Sequence, residues 1–230
     1  MLIAGCGADW AGLSLTMPLK RAVLPLLHYT EPLAADVGGA NTVVFTPRGP
    51  HGYNTDVPGM VAALAGIGIT PFSATIQGAT IAGAGATACA ALAAVGGLGL
   101  GEVVVLVRDQ ARAAGLLAAA SRLGIAVDLR AFTSGVRDGD LLISTVPAGA
   151  ADIIAERAVV PGSSPAALLD VVYHPWPTPL ALAATKAGIP VASGFDLLLH
   201  QAGCQVELMT GHQAPLDAMR AAGETALTSR

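Results

Sequence analysis

Charge is scarce in this chain. Only 12% of its 230 residues are Asp, Glu, Lys or Arg, and none of these lies between Val57 and Gly101. So long an uncharged stretch invites a membrane reading. Yet Gly, Thr, Ser, Gln and Pro break it, and it holds no unbroken apolar run of the roughly 18 residues a spanning helix needs. It fits better as parallel strands buried on both faces, with an alanine-rich helix packed on them. Basic runs are missing too, and the net charge is −4, which argues against nucleic acid as a partner. Cysteines are few: Cys6, Cys89 and Cys204 are odd in number and lack metal-ligand spacing. Neither a disulfide framework nor a bound metal is expected. The opening, MLIAGCGADWAG, has no basic region and no long apolar core of a secretory signal. These absences leave the expectation of a soluble, cytoplasmic protein without a membrane segment.

What is present centres on residues 78–94, GATIAGAGATACAALAA. A short apolar strand over 79–82 enters a glycine turn, and an alanine-rich helix leaves it. Gly83, Gly85 and Ala88 fit the dinucleotide pattern G-x-G-x-x-G/A. Gly83 permits the tight turn, Gly85 lets a pyrophosphate approach the backbone, and Ala88 lets the helix lie close to the strand. The anion would rest on the unpaired N–H groups at the positive end of the helix. With 28 glycines in the chain, such a match arises easily by chance. The segments that follow therefore matter more than the match.

Those segments alternate. Strands are expected over 103–107, 126–131, 141–145, 168–172 and 191–192, and helices over 111–123 and 179–187. Two further helices, 197–210 and 215–225, close the chain. Strand and helix in repetition predict an α/β fold with a doubly wound parallel sheet of the Rossmann type. The strand VVVLV ends in Arg108-Asp109, with Arg112 one turn on. At that place an acidic residue favours NAD, and an arginine accommodates the 2′-phosphate of NADP. Two guanidiniums against one carboxylate favour NADP(H).

The first quarter of the chain is organised differently. A strand is expected over 13–16, then Pro18 and a helix over 20–28 that Lys20 opens. A lysine at such a junction is commonly a solvated side chain; it can also serve as a proton donor. Segments 42–46 and 51–53 flank a Pro-Arg-Gly-Pro turn and predict a hairpin. Antiparallel pairing would bring Asn41-Thr42 beside Asn54-Thr55-Asp56. Read conservatively, these residues cap turns, and Asp56 would cap a helix over 58–64.

Taken together, SLTMPLK, GGANTV, GYNTDVPG, GAGATA, VRDQAR, DVVYHPWPTPL and GFDLLLHQA occur in the order and rough spacing of one family. From Gly12 to Ala222 the chain resembles the shikimate dehydrogenases. The resemblance implies that Lys20 is the catalytic lysine and Asp56 its carboxylate partner. It implies that Thr16, Asn41 and Gln201 bind the substrate hydroxyls. Gly83, Ala84, Gly85 and Ala86 would cradle the cofactor phosphates, Arg108 and Arg112 would clamp the adenosine phosphate, and Tyr173 and Gly194 would lie near the nicotinamide. The reaction implied is the reversible reduction of 3-dehydroshikimate to shikimate by NADPH, a step toward chorismate and the aromatic amino acids, with no metal.

The implied architecture has two domains. Residues 1–56 and 194–230 would form the substrate domain and 57–193 the dinucleotide domain, with the site in the cleft between them. The oligomeric state expected is a monomer or homodimer. Members of the family usually begin with a strand–helix–strand unit whose loop carries a Ser-x-Ser pair for the substrate carboxylate. That unit, roughly 30 residues, is not found before Gly12, and Ser14 and Ser193 do not replace the pair by position. An incomplete substrate sheet, with lower stability or self-association, is the expectation. Val107, Asp109, Ala86 and Cys89 are smaller departures. Two other readings accommodate the departures: an NAD-using quinate- or shikimate-like paralogue, and a nucleotide-binding module without turnover.

Overall fold

The computed structural model describes residues 2–6, 9–155 and 164–229. The chain builds two sheets. The first region contains α1 (Leu2–Gly5), β1 (Gly12–Ser14), α2 (Leu19–Ala22), β2 (Tyr29–Thr30), α3 (Pro32–Val37), β3 (Thr42–Thr46), β4 (Gly49–Tyr53) and α4 (Asp56–Gly66). Its sheet has the order β1-β3-β4-β2, with β3 antiparallel to both β1 and β4. The predicted hairpin is present, paired from Thr42 with Tyr53 to Thr46 with Gly49.

The helix expected over 20–28 is not continuous. It is a single α-turn, Leu19–Ala22, followed by a 3-10 turn, Leu24–Leu26. Pro25 has no N–H to give and its ring would strike the carbonyl four residues back, so an α-helix cannot pass through it. The expected cap is also different. Asp56 is the first residue of α4 rather than its cap. Asn54 supplies the oxygen to the Val57 N–H at 3.2 Å and donates to the Gly39 carbonyl at 2.8 Å. The Asp56 carboxylate is thereby left to point elsewhere.

The second region runs β5 (Ala79–Ala82), α5 (Ala86–Gly97), β6 (Glu102–Val107), α6 (Ala114–Leu123), β7 (Ala126–Ala131), β8 (Leu141–Ser144), α7 (Asp152–Ala155), β9 (Ala167–Asp170), α8 (Pro179–Lys186) and β10 (Val191–Ser193). All six strands are parallel, in the order β10-β9-β8-β5-β6-β7. The order reverses between β5 and β8, the switch point at which doubly wound sheets bind ligands. The strand ends at 145 and 172 fall one to two residues earlier than expected, and a 3-10 turn, Gln110–Ala113, precedes α6.

The stretch from Val57 to Gly101 lacks charge because β5 and most of α5, which lie in it, are buried. Every residue of β5, β8 and β9 is buried, as is the run from Ala88 to Val95 in α5. Alanine along α5 brings that helix close to the sheet, and leucine and isoleucine from the strands fill the space beneath. Fully burying each such large side chain contributes about 1.5–3 kcal/mol. One core lies on the α5 face, with Ile81, Val105, Leu141, Ile143 and Leu169. Another lies on the α8 face, with Leu106, Leu142, Leu168 and Leu180.

Two helices finish the chain, α9 (Gly194–Thr210) and α10 (Leu216–Thr228). Ser193 starts α9 with a capping box: its hydroxyl takes the Asp196 N–H, and Asp196 takes the Ser193 N–H. Ser14 receives a hydrogen bond from Gln205 of α9 at 3.1 Å. Among the described residues no helix is long and apolar enough to cross a membrane.

Candidate active site

Four residues far apart in sequence meet where α2, the hairpin, α4 and α9 converge. Lys20 Nζ lies 2.5 Å from Asp56 Oδ2. Asn41 Nδ2 donates to the other Asp56 oxygen at 2.9 Å, and lies 3.1 Å from Gln201 Oε1. Each partner arrives by a separate route. Lys20 follows β1, Asn41 precedes β3, Asp56 opens α4, and Gln201 projects from the second turn of α9. The side chains of Lys20 and Asp56 keep 14% and 8% of their surface exposed, so the pair is nearly enclosed yet not sealed. An ion pair in such surroundings holds a cation in a fixed place with few competing waters.

Thr55 completes the cluster. Its N–H donates to Asn41 Oδ1 at 2.8 Å, and its hydroxyl lies 2.9 Å from Asn41 Nδ2. Thr16 behaves differently from the expected set. It is exposed on the turn before α2, where its carbonyl accepts the Leu19 N–H at 2.8 Å, and no hydrogen bond joins it to the cluster.

The glycine turn lies at the end of β5. Gly83 has φ +110°, which a side chain rarely adopts, and a Cβ there would come 2.6 Å from Thr145 Oγ1 on the neighbouring strand end. Gly85 is the N-cap of α5, and a Cβ there would meet nothing within 4 Å. Open space therefore stands in front of the helix N-terminus, where N–H groups lack intrahelical partners. Ala84 and Ala86 are partly buried beside it, and Ala88 is wholly buried against the sheet.

Arg108 and Arg112 are exposed after β6. Asp109, the competing anion, is occupied: its carboxylate accepts the Ala111 N–H at 3.0 Å and caps the 3-10 turn. Tyr173 is 42% exposed in the segment after β9. That segment is tied down at both ends by Asp170, which takes the Thr178 hydroxyl at 2.6 Å and the Val172 N–H at 3.3 Å. Burial pushes the Asp170 carboxyl above its ordinary value, against the lowering effect of those hydrogen bonds. Gly194 opens α9 packed on the Val171 carbonyl, too close for any side chain.

The sequence reading brought Thr42 and Thr55 together at the hairpin end without giving them a role at the site, and it passed over Gln205. Gln205 lies one helical turn beyond Gln201, so the same face of α9 carries both. That spacing was the available signal.

Similarity to known proteins extends over nearly the whole chain. A model of the shikimate dehydrogenase substrate binding domain matches residues 3–43, and one of the shikimate 5'-dehydrogenase C-terminal domain matches residues 194–222. The "Shikimate dehydrogenase (NADP(+))" of Geobacter sulfurreducens is 35% identical over 227 residues, covering 95% of this chain and 78% of that protein. The chain belongs to the shikimate dehydrogenase family. Among solved structures, the shikimate dehydrogenase of Mycobacterium tuberculosis superposes with a TM-score of 0.81 at 39% identity, over 96% of this chain and 80% of that one. The Thermus thermophilus enzyme in complex with NADP(H) and shikimate gives a TM-score of 0.78 at 30% identity, with the same coverage. The parallel six-stranded sheet and the smaller mixed sheet are the fold of this family.

Proposed function

We propose that this chain is an NADP-dependent shikimate dehydrogenase, interconverting 3-dehydroshikimate and shikimate. The observation that carries the reading is the Lys20–Asp56 pair, joined through Asn41 to Gln201 in a partly open enclosure. The names of the curated relatives and the NADP(H) and shikimate complex of the Thermus thermophilus relative support the same substrate and cofactor.

The residues present fit the cofactor. The unobstructed N-terminus of α5 at Gly85 suits a pyrophosphate, held by the turn over Gly83, Ala84, Gly85 and Ala86. Arg108 and Arg112, both free of the cap that occupies Asp109, suit a 2′-phosphate. Tyr173 and Gly194 would flank the nicotinamide. NADPH, when bound, supplies the hydride. The chain supplies the proton and the geometry: hydride addition to a ketone leaves negative charge on oxygen, and Lys20 donates a proton to it. Asp56 holds the ammonium in place, while Asn41, Gln201 and Thr16 bind the substrate hydroxyls.

In this proposal residues 1–56 and 194–230 serve the substrate and residues 57–193 the cofactor, a division that the two separate sheets support. A cytoplasmic protein, monomeric or homodimeric, completes it; sedimentation of the purified chain tests the second part. The function itself is tested by following nicotinamide absorbance with shikimate and either NADP or NAD. Turnover with NADP is the expected result. Turnover with NAD alone, or no turnover with either, would sink the proposal.

A further inference from the structure

We propose that Gln205 and Thr42 are positioning residues that lock the Asn41 side-chain amide in one orientation, and through it aim Asp56 at Lys20. The importance of Lys20 rests on the function proposed above; the geometry of the lock does not.

Gln205 reaches from α9 into the smaller sheet. Its Nε2 lies 3.0 Å from Thr42 Oγ1, 3.1 Å from Ser14 Oγ and 3.4 Å from the Asn41 carbonyl. An amide nitrogen only donates, so the Thr42 oxygen must accept there. The single hydroxyl proton of Thr42 is then free to point at Asn41 Oδ1, 3.0 Å away. The same oxygen receives the Thr55 N–H, another group that only donates.

Asn41 is thus held by two donors on its oxygen side. Its nitrogen side faces Asp56 Oδ1 at 2.9 Å, a carboxylate that only accepts. Turning the amide over would set its NH2 against the Thr55 N–H and its oxygen against the Asp56 carboxylate. Both contacts would be repulsive in a buried place, where unmet polar groups are costly. With the amide locked, Asp56 offers its remaining oxygen to Lys20.

Neither Gln205 nor Thr42 hydrogen-bonds Lys20 or Asp56. Thr42 is fully buried and Gln205 is 7% exposed, so a substrate has little access to either. Their effect passes through Asn41, with Thr55, whose hydroxyl lies 3.2 Å from that of Thr42, beside it.

The test compares the unmodified chain with Gln205→Met, Thr42→Val and Thr42→Ser. The first readout is hydrogen exchange of the Asn41 side-chain NH2, followed by NMR on the free protein, which requires no turnover. Exchange should quicken by about tenfold or more in Gln205→Met and Thr42→Val, and stay near the unmodified rate in Thr42→Ser, which keeps the hydroxyl. The second readout is steady-state kinetics. Here kcat should fall about tenfold in the first two variants, with KM for NADPH unchanged, and recover in Thr42→Ser. If Gln205→Met does not fold, Thr42→Val, which keeps the shape and removes only the hydroxyl, decides alone. Unmodified exchange of the Asn41 amide in Thr42→Val overturns the lock. If the unmodified chain shows no turnover, the functional reading falls and the exchange measurement still judges the lock by itself.

Discussion

Gly59 of α4 lies against the backbone of Gln201 in α9, so close that a methyl group added at Gly59 would stand 2.9 Å from the Gln201 nitrogen. The two helices that carry Asp56 and Gln201 touch at this point, three residues after Asp56. Their separation at the cluster is set by the lack of a side chain.

Gly59→Ala should therefore damage activity. In an ordinary helix the change would gain about 0.5–1 kcal/mol of helix stability. Here the opposing atoms are backbone and cannot yield, and overpacking costs about 1–3 kcal/mol. The clash wins. We expect a lower melting temperature and a loss of kcat on the order of 10- to 100-fold, since small misplacements of catalytic groups are costly. Melting curves and kinetics check this; full activity in the variant would show that the contact does not set the geometry.

Lys20→Met should lower kcat by about 10²- to 10⁴-fold, the usual worth of a placed proton donor. Binding of NADPH, measured by fluorescence, should be unchanged, because no cofactor residue is touched. Asp56→Asn keeps the shape, removes the charge that holds Lys20, and should also depress kcat. Activity near that of the unmodified chain in Lys20→Met would rule the lysine out as the donor.

Cofactor choice should follow the arginines. Arg108→Ala and Arg112→Ala are each expected to raise KM for NADPH by roughly tenfold or more, consistent with loss of a charged hydrogen bond. Turnover with NADH should be little affected. Asp109→Ala should cost about 1 kcal/mol of stability through the lost cap, and leave the NADPH-to-NADH preference as it was. Equal losses with both cofactors in the arginine variants would contradict the phosphate clamp.

Acid should loosen the α9–α10 end. Burial pushes the Asp196 carboxyl upward, but hydrogen bonds from Ser193 and the charge and hydrogen bond of Arg220 outweigh it and hold the group below its ordinary 3.8. A depressed carboxyl contributes stability that is full above pH 3.8 and is lost as pH falls through its lowered value. Asp170, raised by burial, acts in the opposite sense, its contribution weakening as pH rises. The Asp196→Asn variant isolates the first effect. Between pH 5 and pH 2 its melting temperature should fall less than that of the unmodified chain. Parallel curves would refute the assignment.

Much of the fold was legible from local pattern. The strand at 79–82 occupies the expected residues as an apolar run between Gly78 and Gly83, and the strand at 126–131 does so by alternation, Val127 and Leu129 alternating with Asp128 and Arg130. The hairpin followed from Pro and Gly between two apolar segments. The helix over 20–28 failed at Pro25, a backbone rule that apolar periodicity hides. Asp56 was misread as a cap because Asn54, two residues earlier, competes for the same job, and spacing alone does not rank them.

The amino-acid sequence by itself determined the strand–helix alternation of the parallel sheet, the glycine turn and the paired arginines, each from residues close together in the chain, and the family pattern, from short local blocks in a fixed order. Only the tertiary structure decided what Asn41 does. Its amide is oriented by Thr42 next to it, by Thr55 across the hairpin, and by Asp56 and Gln201 on two helices. Gln201 and Gln205 lie about 160 residues away, and a hydrogen bond across such a distance leaves no periodicity to read. Those contacts exist because α4 and α9 pack at Gly59, and that packing is a property of the folded chain.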